Sequence, residues 1–349
     1  MSNTIEVIHV EGSDYECGVQ AGQKCRNTLH DLLSIEQQSL VSHETWDDIK
    51  RKAQHYISAT RQSFPHLIEQ IEGMAEGANI PFKDLFPLTV EEVFDISPEK
   101  CTDVVVSKPH PVIGHNNDSS PEYMPLVTAI IWKTQRGDVL TVGVGPFMSI
   151  GVSKNPQGQI LALSGNELTQ NDQKNEGIPR YFVALGALNS RNFSEAVKTA
   201  IHPDRASSYN LIIADANRVV NVEGSATNAR VILPDENNHI IHTNNYQHSQ
   251  MEKHDRNPKH IGSAHRLRRA RTLSQDIDKE KPVIPQLKHI LKDHDPEHTL
   301  SGNTICKHDV DTKRHTIFSA ITDVGGGTIE ISLGPPCRND HHILWQFGK

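Results

Sequence analysis

An α+β class, with sheets packed on each other and covered by helices, is predicted by the order in which patterns run along the chain: helices, strands, helices, strands. The helical period is clearest in "HLIEQIEGMAEGANI", where Leu67, Ile68, Ile71, Met74, Ala75 and Ala78 fall on one face. From Cys101 onward the pattern changes to short apolar runs separated by Pro, Gly and Asn turns.

Taken in order, "TIEVIHVEG" predicts an edge strand, and "FKDLFPLTVEEVFDI" continues the helical character after residue 78 until Pro87 breaks it. Beyond Ser97-Pro98, strands are predicted at "CTDVVVS", "PVIGHN", "LVTAIIWKT", "DVLTVGVG" and "GQILALSGN". Two helices follow, "RYFVALGALN" after Pro179 and "SEAVKTAI", with Ser194 as the expected N-cap. "YNLIIADANRVVNVEGSATNARVILP" carries an "ADANR" turn between apolar runs, "NHIIHTNN" adds a strand, and residues 245 to 262 form a polar, His-rich loop. A basic helix over 261 to 275 and a closing hairpin in "HTIFSAITDVGGGTIEISLG" complete the set.

The 349 residues can bury a substantial core. A formal charge of -8 and a pI near 6.2 argue against a protein that grips phosphate backbones, so nucleic acid is not an expected partner. The start "MSNTIEVIHVEGSDYECG" lacks a signal-peptide pattern and no apolar run reaches membrane length, which predicts a cytoplasmic protein with no membrane partner. The five cysteines have no CxxC spacing, and an odd number suits a reducing compartment with at least one free thiol. The 21 histidines form no HExxH-like set, so neither a metal nor another cofactor is expected. His294 and His298 flank Pro296, which favours a solvated turn over a shared helical face.

Cys101, at the first residue of a strand after "SPEK", reads either as a small buried hydrophobe or as a nucleophile. Cutting the Lys100–Cys101 bond would put a new α-amine beside the thiol. With a pKa of about 7.7 to 8.0 that amine is partly unprotonated near neutrality and can serve as general base for its own side chain.

"CTDVVV" followed by "IGHNNDSS" resembles the start of the mature catalytic chain in the penicillin acyltransferase family of N-terminal nucleophile hydrolases. Other elements follow in family order. "SDYECGVQAG" looks like its Y-E-x-G-x-Q-x-G segment, and Gly145, Gly151, Asn155 and Gly158 keep the spacing of its next motif. "SGNEL" and "GIPRYF" are similar to its N-x-L and G-x-P elements, "ASSYNLIIAD" and "NVEGS" to its next hairpin, "HTNNY" to H-T-N, and "SAHRLRRARTL" to an S-x-x-R-x-x-R helix.

The resemblance implies a four-layer αββα fold made as a precursor. Self-cleavage would divide it into a small chain, 1 to 100, and a catalytic large chain, 101 to 349, together one domain. It implies that the Cys101 thiol attacks a small amide or thioester, and it assigns roles residue by residue. Asp118, on the aspartate of G-x-N-x-D, would hold the new ammonium or else begins the turn that runs through Ser119 and Ser120 to Pro121. Asn244, on the asparagine of H-T-N, would donate its NH2 to the oxyanion or else ends a strand as a turn residue, with the Asn245 N–H as a second donor. Arg266 would reach the nucleophile from the basic helix, where the other arginines form a solvated face, and Asn166 would line the site. Ser208 and Asn210 lie in a segment that approaches it.

Three positions depart from the family. Lys100 stands where glycine is frequent before the nucleophile, His115 where glutamine or arginine is usual, and Asn117 where an aromatic is common. With His115 as an acyl-pocket residue, these changes favour a small polar acyl donor such as a β-alanyl amide. The expectation is a self-processing amidohydrolase or acyltransferase. Two alternatives stand beside it: an uncleaved thiol hydrolase using His115 or His242 as base, and a non-catalytic binding protein that retains the fold.

Overall fold

The computed structural model describes residues 5–41, 43–94, 101–258, 260–295, 303–308 and 314–348. The expected "TIEVIHVEG" strand is β1 (Val7–Glu11), and five helices follow: α1 (Asp14–Lys24), α2 (Arg26–Ser39), α3 (Trp46–Gln54), α4 (Ile57–Ser63) and α5 (Pro65–Ala78). Pro87 breaks the next helical stretch as expected, leaving a short α6 (Phe82–Leu85) and two 3₁₀ turns, Phe86–Thr89 and Glu91–Val93.

From Cys101 onward come β2 (Thr102–Val106), β3 (Val112–Ser119), β4 (Val127–Thr134), β5 (Gly137–Val144), β6 (Ile150–Lys154) and β7 (Ile160–Asn166). Then α7 (Arg180–Leu188) and α8 (Phe193–Ala200) lead to β8 (Asn210–Ala214), β9 (Val219–Gly224), β10 (Ala229–Ile232) and β11 (His239–His242). The chain continues through α9 (Ile261–Ser274), α10 (Val283–Leu291), β12 (His315–Asp323), β13 (Thr328–Leu333) and β14 (His342–Gln346). The N-cap of α8 is Asn192, whose side chain accepts the Glu195 N–H, and not Ser194. The asparagine sits outside the first turn with extended backbone, as a cap must, whereas Ser194 is already helical.

An eight-stranded sheet in the order β1-β4-β5-β6-β7-β8-β9-β10 faces a six-stranded sheet in the order β11-β2-β3-β12-β13-β14. Among the described strand pairs only β1–β4 is parallel; the others are antiparallel. Strand alternation divides the apolar side chains between layers. Ile130 and Trp132 of β4 pack among the N-terminal helices with α7 and α8, while Ala129 and Ile131 join Val105 and Ile113 between the sheets. Val104, Val106 and Val112 turn the other way, toward Leu287, Ile290 and Leu291 of α10. The result is the expected four-layer αββα arrangement.

Residues before Cys101 are built into this core. All six apolar residues expected on one face of α5 are buried there. The glycines of "YECGVQAG" explain how α1 meets α5: a Cβ on Gly18 would lie 2.1 Å from the Gln70 carbonyl oxygen, and one on Gly22 2.2 Å from that of Met74. Gly73 and Gly77 answer from α5, where a Cβ would lie 2.1 Å and 2.0 Å from the Tyr15 and Val19 oxygens. The two helix backbones therefore touch, which any side chain at these positions would prevent.

Candidate active site

Cys101 directly precedes β2 and is buried, with its main-chain N–H donating to Asn244 Oδ1 at 3.0 Å. Asn244 follows β11, the neighbour of β2, and two positions past the His242–Asp103 pair carry it beside Cys101. Two further bonds fix its amide. Arg266 Nη2 donates to Oδ1 at 2.9 Å, and Nδ2 donates to the Glu167 carbonyl at 3.1 Å. The second Nδ2 proton is thus left over from the Glu167 bond.

Arg266, on α9, is completely buried. Its Nη1 donates to the Cys101 carbonyl at 2.5 Å and to Thr102 Oγ1 at 2.9 Å. One guanidinium therefore grips Cys101, Thr102 and Asn244, with the rigid fork that makes arginine suited to a fixed geometry. Burial lowers its pKa from the ordinary guanidinium value, and attraction to Asp118 and Cys101 opposes that shift.

Asp118 takes other partners. β2 and β3 form the expected hairpin, with Thr102 opposite Asn116, but Asp118 shares with Asn116 the face of β3 turned toward α10, where Asn116 Nδ2 donates to the Leu291 carbonyl. The Asp118 Oδ1 accepts from Thr316 Oγ1 at 2.7 Å, and Lys307 Nζ lies 3.3 Å from Oδ2. Lysine and aspartate are both buried, so the desolvation of each charge is offset by the other. The Cys101 N–H is held by Asn244, which is the acceptor that the sequence did not suggest.

Cys101 lines a cavity of about 640 Å³, together with Asn117 and Ser119 of β3, Asn166 and Glu167 at the end of β7, and Tyr181 of α7. α2 supplies Leu32 and Glu36 to its wall. The Asn166 Oδ1 accepts from Asn210 Nδ2 at 3.2 Å and faces His242 Nδ1 at 3.0 Å, so its Nδ2 is the free end of the amide and has no hydrogen-bond partner. His242 meets Glu223 Oε1 through Nε2 at 3.0 Å and the Thr243 carbonyl through Nδ1. Burial pushes the Glu223 pKa up, but the bonds from His242 and the His248 and Gln247 N–H groups outweigh it and leave it lowered.

His115 lies elsewhere. Its Nδ1 is 2.9 Å from Asp103 Oδ1, and Ser164 Oγ donates to the same oxygen at 2.6 Å. This buried trio bridges the two sheets, and neither His115 nor His242 is on the cavity wall. Odd-numbered positions of β3 face inward from the sheet, and His115 lies two positions from the cavity-lining Asn117, deeper in the sandwich. Ser208 supports Gln170 through its main chain, and Asn210 reaches the site through Asn166. Lys100 lies outside the described residues, as does His298.

The wall carries more acid than base. Glu36, Glu44, Glu91, Glu122 and Glu167 line it against Arg314. Arg180 engages Glu91 and Glu167, and Lys52 engages Glu44. Glu36 accepts from the Tyr123 hydroxyl at 2.8 Å. Its pKa is raised by burial, eased by the Tyr123 bond and raised again by Glu91 and Glu122. Periodicity could not have found Glu36 because it sits on a helix outside every motif and sixty-five positions before Cys101. Lys307 was equally hidden, in a loop without a pattern.

A four-layer αββα sandwich with a thiol at the start of a central strand, held by an asparagine and a buried arginine, defines the class. The chain belongs to the acyl-coenzyme A:6-aminopenicillanic acid acyl-transferase family, whose model matches residues 106–338. That span begins after Cys101 and contains Asp118, Asn166, Asn244 and Arg266. The chain is also similar to the beta-alanyl-dopamine/carcinine hydrolase of Drosophila melanogaster, 22% identical over 219 residues. The alignment covers 56% of each protein, so the chain matches about half the length of that relative. Two variants of the conjugated bile acid hydrolase from Clostridium perfringens have TM-scores of 0.38 and 0.41. They are 11% and 12% identical, cover 70% and 67% of this chain, and are covered over 96% and 89% of their own; the likeness is too loose to carry residues across. No described helix is long and apolar enough to cross a membrane.

Proposed function

We propose that the protein is a self-processing thiol amidohydrolase or acyltransferase that acts on a small N-acyl amide through Cys101. The observation that carries this reading is the pairing of the Cys101 main-chain nitrogen with Asn244 Oδ1 at the wall of a substrate-sized cavity. In maturation the thiol attacks the Lys100 carbonyl, the peptide becomes a thioester by N-to-S shift, and water releases the Lys100 carboxylate and the Cys101 amine. Residues 1 to 100 would then remain as a small chain inside the same domain, bonded through the β1–β4 ladder and the α1–α5 contact.

In turnover the α-amine takes the thiol proton as sulfur attacks the substrate carbonyl. The second Nδ2 proton of Asn244 and the Nδ2 of Asn166 are the donors available to the growing oxyanion. The departing amine takes the proton from the Cys101 ammonium and leaves a thioester. Water attacks next, giving its proton back to the α-amine, or an acceptor amine resolves the thioester as acyl transfer. Asn244 and Arg266 keep amine and thiol at fixed distance throughout. Asp118 acts behind the sheet, as the counter-ion that shares its charge between Lys307 and the Arg266 side of the site.

The acidic wall favours a donor that carries a cation. Glu36 is held by the Tyr123 hydroxyl rather than by a basic side chain, so an ammonium on the acyl group, as in a β-alanyl amide, would find there its opposite charge. This agrees with the substrates in the name of the fly relative.

Intact mass of the wild type beside Cys101→Ala, after incubation with β-alanyl and neutral acyl amides, tests the reading. The wild type should give two masses, the larger beginning with Cys101, and a trapped acyl adduct on that fragment. Cys101→Ala should give one mass and no adduct. A single uncut chain that turns over substrate fully would instead favour a thiol working without a new N-terminus.

A further inference from the structure

Behind the six-stranded sheet, on the side away from the cavity, three loops bring His294, His308 and Cys337 together. His294 follows α10, His308 lies three residues beyond Ile305, and Cys337 lies in the turn between β13 and β14. Their ligand atoms, an imidazole nitrogen from each histidine and the Cys337 Sγ, all lie within 4.8 Å of one another. The two Nε2 atoms point at each other across 3.3 Å. Two imidazoles on one tetrahedral ion, each about 2.0–2.1 Å from it, hold their nitrogens about 3.3–3.4 Å apart.

We infer that His294, His308 and Cys337 form a binding site for a zinc-class divalent cation. Nitrogen and thiolate donors in this ratio select a borderline-soft ion over calcium or magnesium, which take oxygen. Cys337 binds as a thiolate, releasing its proton to solvent, and its negative charge offsets part of the ion's. Its surroundings hold the ligands ready. Asp293 is clamped by Arg269 at 2.7 Å and 3.0 Å, and its carbonyl accepts the Cys306 N–H at 3.0 Å. On the other side of His294, Asp295 pairs with His265 at 2.7 Å.

The site has a consequence for the sheet above it. Lys307 directly precedes the ligand His308, and its ammonium pairs with Asp118. An ion on His308 would pin the loop that delivers this lysine, making the metal a structural clip for the underside of the active-site strand. This inference does not depend on the amide chemistry.

Zinc content of protein purified without chelator, measured by plasma mass spectrometry, should be one equivalent per chain. After chelation and reloading with Co²⁺, thiolate–cobalt charge-transfer bands should appear in the near ultraviolet with the visible bands of tetrahedral cobalt. Cys337→Ser and His308→Ala should each lose the visible bands. His294→Gln, at a half-buried position, provides the same test should a cysteine variant fail to fold. Removing zinc should lower the thermal midpoint, and adding it back should restore it. The inference is overturned if the protein equilibrated with micromolar zinc binds none and its midpoint does not move, leaving only a histidine–histidine hydrogen bond. Cobalt bands that persist unchanged in both Cys337→Ser and His308→Ala, or a Cys306–Cys337 disulfide in the fresh protein, would overturn it equally.

Discussion

Asn244 Oδ1 accepts the main-chain N–H of Cys101 at 3.0 Å while it also accepts from Arg266. The asparagine therefore does two jobs on its two ends, holding the nitrogen beside the nucleophile with its oxygen and offering a proton with its nitrogen. Asn244→Ala removes both. Loss of one oxyanion donor costs about 10²–10³ in kcat, so kcat should fall at least that far while KM changes little, and precursor cleavage should slow in parallel. Single-turnover kinetics and gel densitometry measure the two rates. A variant that cleaves and turns over normally would remove Asn244 from the mechanism.

Much of this was readable from the chain because strand and helix periods are local. The β2 and β3 strands followed from short apolar runs separated by a proline turn, and the face of α5 from its 3.6 period. β6, α10 and β14 were not read: "SIGVSK" is short and contains glycine, α10 opens on two β-branched residues and a proline, and β14 alternates weakly at the sheet edge. At the site, motif order pointed to Asn244 and Arg266. It could not say which group would hold the Cys101 nitrogen, since that depends on which face of β3 Asp118 occupies. One residue of register moves a carboxylate from the thiol to the opposite side of the sheet. His115 shows the same limit in depth, because sequence spacing does not tell how far along a strand the cavity reaches.

The Asp118–Lys307 pair predicts a particular pattern of variants. Asp118→Asn takes the carboxylate away from the buried Lys307 ammonium, and Lys307→Met takes the ammonium away from the buried Asp118 carboxylate. Removing one partner of a buried pair costs about 3–5 kcal/mol, so either single change should lower stability by that order in urea unfolding. The double variant Asp118→Asn/Lys307→Met should recover most of the loss. If the singles are neutral, the pair is not the electrostatic unit the 3.3 Å separation describes.

The close contact of α1 and α5 gives a steric prediction. Gly77→Ala would drive a methyl to 2.0 Å from the Val19 carbonyl oxygen, which belongs to helix backbone and cannot rotate away. Overpacking of this kind costs about 1–3 kcal/mol or more. Calorimetry should show a lower thermal midpoint for Gly77→Ala, with the intrinsic helix propensity of alanine failing to compensate. As a control, alanine at Gly158, where no atom lies within 4 Å but φ is +76°, tests backbone strain without the clash. An unshifted midpoint in Gly77→Ala would mean that the helices separate at little cost.

Glu36 links the acidic wall to pH. Burial raises its pKa above the ordinary carboxylate value, and Glu91 and Glu122 add to the rise against the Tyr123 bond. A carboxyl whose pKa is raised takes up its proton at a higher pH than a solvated one, so the charge offered to a substrate ammonium is present only above that raised value and is lost as pH falls through it. For a β-alanyl amide, kcat/KM should therefore decline on the acid side with an apparent pKa above about 4.3, the solvated value for glutamate. Glu36→Gln should raise KM for this donor about tenfold, equivalent to 1.4 kcal/mol, and should flatten that limb, leaving kcat nearly unchanged. A neutral acyl amide of the same length should keep only the acid limb that protonation of the Cys101 α-amine gives every donor, without the Glu36 contribution and without the effect of the substitution. If both donors respond alike to Glu36→Gln, the carboxylate shapes the cavity without recognising charge, and the preference for a cationic acyl group falls with it.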